Sequence, residues 1–270
     1  ENKTEAEYLF QYFNAPIYLD RSEALDAWSN NSDKAGLNKI TTAALADAFW
    51  SLRQKALGMI KGLDAEQKEA LKTKVTEMAK GDAKASVRAK AFSVLATLGA
   101  DVAELEAGLA DKSYAVAASA LKAVHKTDPE KGIAKAKALE ADAKAGLLTA
   151  IAGIYAKTGD LAYMDYMQNA VANASGFAKF QMLSTYAGYL TSLDLNNLEA
   201  GLVLIMDACE NGDPWWIRLG GMQALSNVIT HLEGQKDNAE AVAMTAELSE
   251  KRTAIKDAET NEQLKGYYAQ

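Results

Sequence analysis

A chain of 270 residues that carries 36 Asp and Glu against 29 Lys and Arg, for a formal net charge of -7, offers no basic face for duplex nucleic acid. Its 49 % hydrophobic and 24 % charged residues exclude general disorder, and the length suffices for a substantial core or one elongated solenoid. No apolar run approaches the ~20 residues needed to span a bilayer, so membrane insertion is not expected.

Residues 1–40 read as an N-terminal segment packed on the first repeats of a helical domain covering 41–270, the whole forming one continuous domain. Tyr8, Phe10, Tyr12, Phe13 and Tyr18 make this segment densely aromatic. Alternation at Tyr8, Phe10 and Tyr12 fits a short strand, whereas Phe10, Phe13 and Ile17 fit a helical face, and both readings stay open. Tyr8, Phe10, Tyr12 and Tyr18 are candidates for an exposed apolar docking surface. The run Asn30–Gly36 has turn composition and reads as a loop.

Beyond it a motif recurs at a period of roughly 30 to 38 residues. An aspartate is followed by apolar or small residues five, nine and thirteen positions later. Asp47 leads to Leu52, Ala56 and Ile60; Asp82 to Val87, Ala91 and Leu95; Asp111 to Val116, Ala120 and Val124; Asp142 to Leu147, Ile151 and Tyr155. Steps of four set the three groups on one helical face, with the aspartate near the start. Self-similarity of this length predicts an all-α superhelix, a right-handed solenoid of HEAT/armadillo-like helix pairs. Helices are expected near 41–60, 64–80, 83–98, 101–110, 113–126, 129–141, 143–158, 160–173, 177–192, 194–211, 214–232 and 238–260. Ser175, Phe180, Ser184 and Gly188 hold the same offsets with weaker residue types, and Asp213, Ile217, Gly221 and Leu225 run one position short. Small middle residues (Ala56, Ala91, Ala120, Ser184, Gly221) would let adjacent helices approach closely.

Asp128-Pro129 and Asp213-Pro214 have the grammar of helix starts, a capping carboxylate followed by proline in the first turn. Arg53, Arg88 and Arg218 each follow the first apolar residue of their repeat, as expected of a ladder tying repeats together through the preceding aspartates. The cluster Trp215, Trp216 and Arg218 can be read as a partner-binding surface, with the arginine on a carboxylate. The simpler reading packs a tryptophan into the next repeat and bonds Arg218 to a neighbouring loop. Cys209, the only cysteine, excludes an internal disulfide and reads as a buried small side chain. His125 and His231 each end a helix, where a protonated imidazole is favoured. They lie 106 positions apart and cannot supply two zinc ligands one helical turn apart. Neither the pair Glu104/Glu106 nor the pair Glu247/Glu250 has a partner suggesting an acid–base couple. No catalytic, cofactor or metal residue is assigned.

The stretch from Glu7 to Leu25, with Gln11, Asn14-Ala15, Asp20-Arg21 and Glu23-Ala24-Leu25, resembles the start of the C-terminal helical domain of bacterial M1-family aminopeptidases, the gluzincins that include aminopeptidase N. Repeats such as Ser86-Val87-Arg88-Ala89-Lys90-Ala91 resemble the HEAT-like repeats of that domain, so the resemblance covers essentially the whole chain. In that family a separate thermolysin-like domain performs the chemistry with H-E-x-x-H, a third glutamate ligand and a G-x-M-E-N loop, none of which occurs here. The resemblance implies a non-catalytic domain that packs on the catalytic domain of the same parent chain and restricts peptide access to its active site. Zinc is then expected in the missing catalytic domain and no cofactor in this chain, with peptide substrates met only indirectly. A bacterial parent is implied, with the periplasm or cell envelope preferred to the cytoplasm. The alternative is a free-standing HEAT-repeat adaptor that binds protein or peptide on its concave face.

Overall fold

The structure, a computed structural model, describes residues 3–268. Sixteen α-helices and four short 3-10 segments account for the regular structure, and no strand occurs among the described residues. The helices are α1 (Glu5–Asn14), α2 (Tyr18–Trp28), α3 (Lys34–Ala44), α4 (Trp50–Met59), α5 (Ala65–Gly81), α6 (Ala85–Thr97), α7 (Val102–Glu106) and α8 (Tyr114–Thr127). They continue as α9 (Pro129–Leu139), α10 (Ala145–Tyr155), α11 (Met164–Asn173), α12 (Gly176–Leu190), α13 (Leu195–Asn211), α14 (Trp215–Glu233), α15 (Ala239–Ala258) and α16 (Glu262–Tyr268). The chain groups into two compact units, Glu1–Leu147 and Leu148–Gln270. Residues 3–40 fall in the first unit. Each unit is a stack of helix pairs of the HEAT-like, α-α solenoid class.

In the first unit one row of helices runs α2, α4, α6, α8, each packed on the next, with α5 set against α6 and α9 against α8. The repeat supplies the row's buried face: Leu52, Ala56 and Ile60 on and just beyond α4, Val87, Ala91 and Leu95 on α6, and Val116, Ala120 and Val124 on α8 are all at most 1 % exposed. Burying one such Leu, Val or Ile side chain stabilises the fold by about 1.5–3 kcal/mol. The alanine in the middle of each stripe keeps neighbouring backbones close. A Cβ placed on Gly108 would lie 2.7 Å from the Cβ of Ala120 and 2.6 Å from the Phe92 ring.

Local signals explain where the structure departs from the periodicity. The N-terminal segment is helical, not extended: Thr4 and Glu7 form a reciprocal capping box that starts α1. The loop expected over 30–36 is shorter, because the Asp33 carboxylate accepts the amides of Ala35 (3.0 Å) and Gly36 (3.1 Å) and opens α3. Trp28 lies over Gly36, where a Cβ would come within 2.3 Å of its ring. The helix expected over 41–60 is divided between α3 and α4, since Asp47 accepts the Phe49 amide at 2.8 Å and turns the chain between them. The expected 101–110 helix ends at Glu106 and continues as a 3-10 turn over Ala107–Ala110.

In the second unit α12 and α13 both pack on α14, and α15 lies against α14 and α13. The faint repeat was placed in the wrong register on α12. Ser184 and Gly188 face solvent, while Leu183, Ala187 and Leu190 are fully buried. Ile217, Gly221 and Leu225 on α14 do form the buried stripe. Asp128 caps α9 as expected, accepting the Lys131 amide at 3.0 Å with Pro129 in the first turn. Asp213 does not cap α14: Pro214 is itself the N-cap residue, after a cis Asp213–Pro214 bond.

Gly221 and Gly188 separate packing from backbone freedom. A Cβ on Gly221 would meet the Cys209 amide nitrogen at 2.7 Å and the Ala208 carbonyl carbon at 2.8 Å, backbone atoms of α13 that cannot yield. Gly188 lies inside α12 with nothing within 4 Å of a Cβ. In urea unfolding, Gly221→Ala is expected to cost about 1–3 kcal/mol. Gly188→Ala is expected to stabilise by about 0.5–1 kcal/mol.

Candidate functional site

Four arginines perform one task with the same geometry. Each donates Nη1 to a carbonyl six residues earlier: Arg21 to Ala15 (3.1 Å), Arg53 to Asp47 (2.9 Å), Arg88 to Asp82 (2.8 Å) and Arg218 to Gly212 (2.9 Å). Each then forks through Nε and Nη2 onto the acid that opens a later helix. Arg21 grips Asp47 at 2.9 and 3.1 Å, Arg53 grips Asp82 at 2.7 and 2.8 Å, and Arg88 grips Asp111 at 2.7 and 2.9 Å. Arg218 grips Glu259 at 2.8 and 3.0 Å. The acids in turn accept the amide two residues on, from Phe49, Lys84, Ser113 and Asn261. The expected ladder is therefore present with its direction altered. For Arg53 and Arg88 the preceding aspartate offers its backbone carbonyl, and the carboxylate comes from the following repeat. Arg21 and Glu259 were missed because neither matches the aspartate-led motif at its own position.

The electrostatics follow from this arrangement. The Arg88 hydrogen bond is the largest influence on Asp111 and holds its carboxyl below the usual range. For Asp47 and Asp82 burial pushes upward most strongly, but the arginine fork, the following amide and the arginine charge together outweigh it and leave both lowered. The Arg218 hydrogen bond, opposed by burial and aided by two amides, brings Glu259 down to about 2. The links end at Asp111 in the first unit, since Ala117 stands where the next arginine would be.

Tyr12 is buried at 5 % exposure with its hydroxyl donated to Asp47 at 3.2 Å, so it belongs to the ladder and not to a docking face. The reason is helical: on α1, Tyr12 points inward while Phe10 and Phe13 point out. Phe10 is 70 % exposed, and Phe13, Ile17 and Leu19 join it as exposed apolar side chains of the first two helices and their connection. Tyr8 is half-buried beneath the Lys3 ammonium, whereas Tyr18 is exposed beside Ile17 and Leu19, with one face of its ring against Phe49 at a centroid distance of 4.1 Å. In the second unit Trp215 stacks on Tyr267 at 5.8 Å, Trp216 is half-buried, and Arg218 has its guanidinium occupied by Glu259 and Gly212. No donor of Arg218 that those bonds use is left for a ligand carboxylate.

The reactive side chains are placed structurally. Cys209 is fully buried on α13, and burial pushes its thiol up to about 12, so it is a protonated core group at neutral pH. It borders a cavity of about 540 Å³ walled by Glu210, Arg218, Ile255 and Glu259, of which Arg218 and Glu259 are bonded to each other. His125 sits in the last turn of α8 with Nδ1 3.2 Å from the Pro129 carbonyl. His231 ends α14 with Nε2 2.9 Å from the Gln235 amide nitrogen. Glu104 caps α7, Glu106 meets Lys131 and Lys135, and Glu247 pairs with Lys251. Among the described residues no group of three or more His, Cys, Asp or Glu side chains is placed to hold a metal ion. No helix among them is long and apolar enough to cross a membrane.

No family model and no curated protein matches the chain. Among solved structures it is similar to human deoxyhypusine hydroxylase in complex with glycerol, at 13 % identity and TM-score 0.40, over 94 % of this chain and 96 % of that one. A computationally designed self-assembling cyclic homooligomer is aligned at 15 % identity and TM-score 0.19, over 95 % and 93 %.

Two measurements probe the ladder. Arg88→Ala strands Asp111 in a partly buried site and is expected to cost about 3 kcal/mol in urea unfolding. Lys3→Ala, which breaks the exposed pair with Glu23, is expected to cost under about 1 kcal/mol. The second measurement is an acid titration of stability. Because the Glu259 carboxyl is held below its ordinary 4.5, its stabilisation is complete above that value and is lost as the pH falls toward about 2. Glu259→Gln should flatten that portion of the stability–pH curve.

Proposed function

We propose that this chain is the non-catalytic C-terminal helical domain of an M1-like zinc aminopeptidase, packing on the catalytic domain and restricting peptide access to its active site. The observation that carries this reading is the surface of the N-terminal segment that resembles the family. Its polar residues are used internally: Gln11 bonds the Asp20 carbonyl and Glu23, and Arg21 forks onto Asp47. Its apolar residues Phe10, Phe13, Ile17 and Leu19 remain exposed. A segment that secures itself with its polar groups while leaving its large apolar groups in water has the character of a face that another domain covers. The rigid rungs behind it support the role of a wall, because a restricting surface must hold its shape against a peptide. Zinc and the chemistry belong, on this reading, to the catalytic domain.

The test adds the purified chain to an M1 catalytic fragment prepared without its helical domain. Association is expected, with a change in kcat/KM for long peptides and little change for aminoacyl anilides. Phe10→Ser should weaken the association about tenfold, the equivalent of about 1.4 kcal/mol. Chelator-sensitive hydrolysis of anilides by the chain alone would defeat the reading. Capture of peptides by the chain without the catalytic fragment would favour the free-standing adaptor.

A further inference from the structure

The second unit carries a trough between α13 and α15, with a volume of about 440 Å³, that none of the described residues fills. Its floor is apolar: Leu202 and Leu248 are buried, Met206 and Met244 are half-buried, and Val203 is 69 % exposed. Its rim is acidic, with Glu199, Asp207, Glu210 and Glu247 against the single cation Lys251. Lys251 is spent on Glu247 at 2.6 Å, and Glu199, Asp207 and Glu210 make no ion pair among the described residues.

We propose that this trough docks a cationic amphipathic helix of a partner protein. The occupant's shape follows from the spacing of the walls. On α13 the residues at 199, 202, 203, 206 and 210 form one helical face, and on α15 those at 244, 247, 248 and 251 form another. Two helical ridges with a groove between them are complementary to the ridge of a third helix. The span from Glu199 to Glu210 accommodates about three turns at ~1.5 Å per residue. The two methionines adapt to the side chains they receive. The occupant's charge follows from the rim, whose unpaired carboxylates favour lysines and arginines flanking an apolar stripe. The chain already contains one instance of that chemistry. Lys251 has its ammonium held above the usual range, chiefly by its hydrogen bond to Glu247 and further by the charges of Glu247, Glu199 and Glu210. The inference does not rest on the peptidase reading.

The test uses a fluorescein-labelled synthetic peptide of about 16 residues, with leucines on one helical face and lysines and arginines beside them. A scrambled peptide of the same composition serves as the control. Anisotropy against the full chain is expected to show saturable binding of the amphipathic peptide, at least tenfold tighter than the scrambled one, weakening as salt is raised. Val203→Asp should reduce affinity at least tenfold, and Glu199→Lys with Glu210→Lys should reduce it by a similar factor and remove most of the salt dependence. All three positions are exposed, so unchanged thermal melts are expected to accompany these losses; Glu199→Gln with Glu210→Gln supplies a milder pair that keeps the outcome readable. Equal binding of the scrambled peptide would overturn the proposal, as would full affinity in Val203→Asp. Self-association of the wild-type chain that Val203→Asp abolishes would also overturn it, by assigning the trough to a second copy.

Discussion

The bidentate grip of an arginine on the acid that opens a later helix is the constraint on which the stacking depends. A helix pair buries a stripe of side chains but can slide along it, because hydrophobic contact is non-directional. The planar guanidinium removes that freedom: it fixes a carbonyl six residues back in its own repeat and both oxygens of the neighbour's carboxylate at once. The carboxylate is simultaneously bound to the amide that starts its own helix, so position and helix initiation are set by one group. These pairs lie at the edge of the core, with side-chain exposure of 9 % for Arg88 and 15 % for Asp111, where desolvation is partial and the hydrogen bonds remain strong.

Around this constraint the apolar stripes contribute the bulk of the stability and the small residues set the spacing. Ala56, Ala91 and Ala120 at the centre of three successive stripes are all fully buried, and Gly221 reaches the backbone of α13 itself. A larger residue at any of them would move the helix and lengthen the arginine fork together, which couples packing to electrostatics. The same logic explains why the reactive-looking side chains are inert. Cys209 and Arg218 border one cavity, yet burial keeps the first protonated and Glu259 occupies the second.

Two exposed faces of the described residues differ in character. The face of α1 and α2 is apolar without charge complementarity of its own, suited to a permanent neighbour, whereas the α13–α15 trough combines an apolar floor with unpaired carboxylates, suited to a cationic one.

Much of the helical stack was legible in the amino-acid order, because a stripe at steps of four can bury itself only on a helix, and Leu52, Val87, Val116 and Leu147 each begin such a stripe five residues after an aspartate. The arginines Arg53, Arg88 and Arg218 were legible for the same reason, since they hold a constant place in the repeat. Pairing was not. Nothing local marks Glu259 as the partner of Arg218, 41 positions earlier, or Arg21 as the partner of Asp47, because those contacts form only when separate turns of the stack close on each other. Likewise Tyr12 and Phe10 are near equivalents as residues, and only the orientation of α1 on its neighbours buries one and exposes the other. Sequence by itself determined most of the helices and, in the aspartate-led copies of the first unit, the face each must bury, both being short-range properties of backbone and side-chain spacing. Tertiary structure alone decided which acid meets which arginine and which apolar groups stay in water, because those depend on long-range packing.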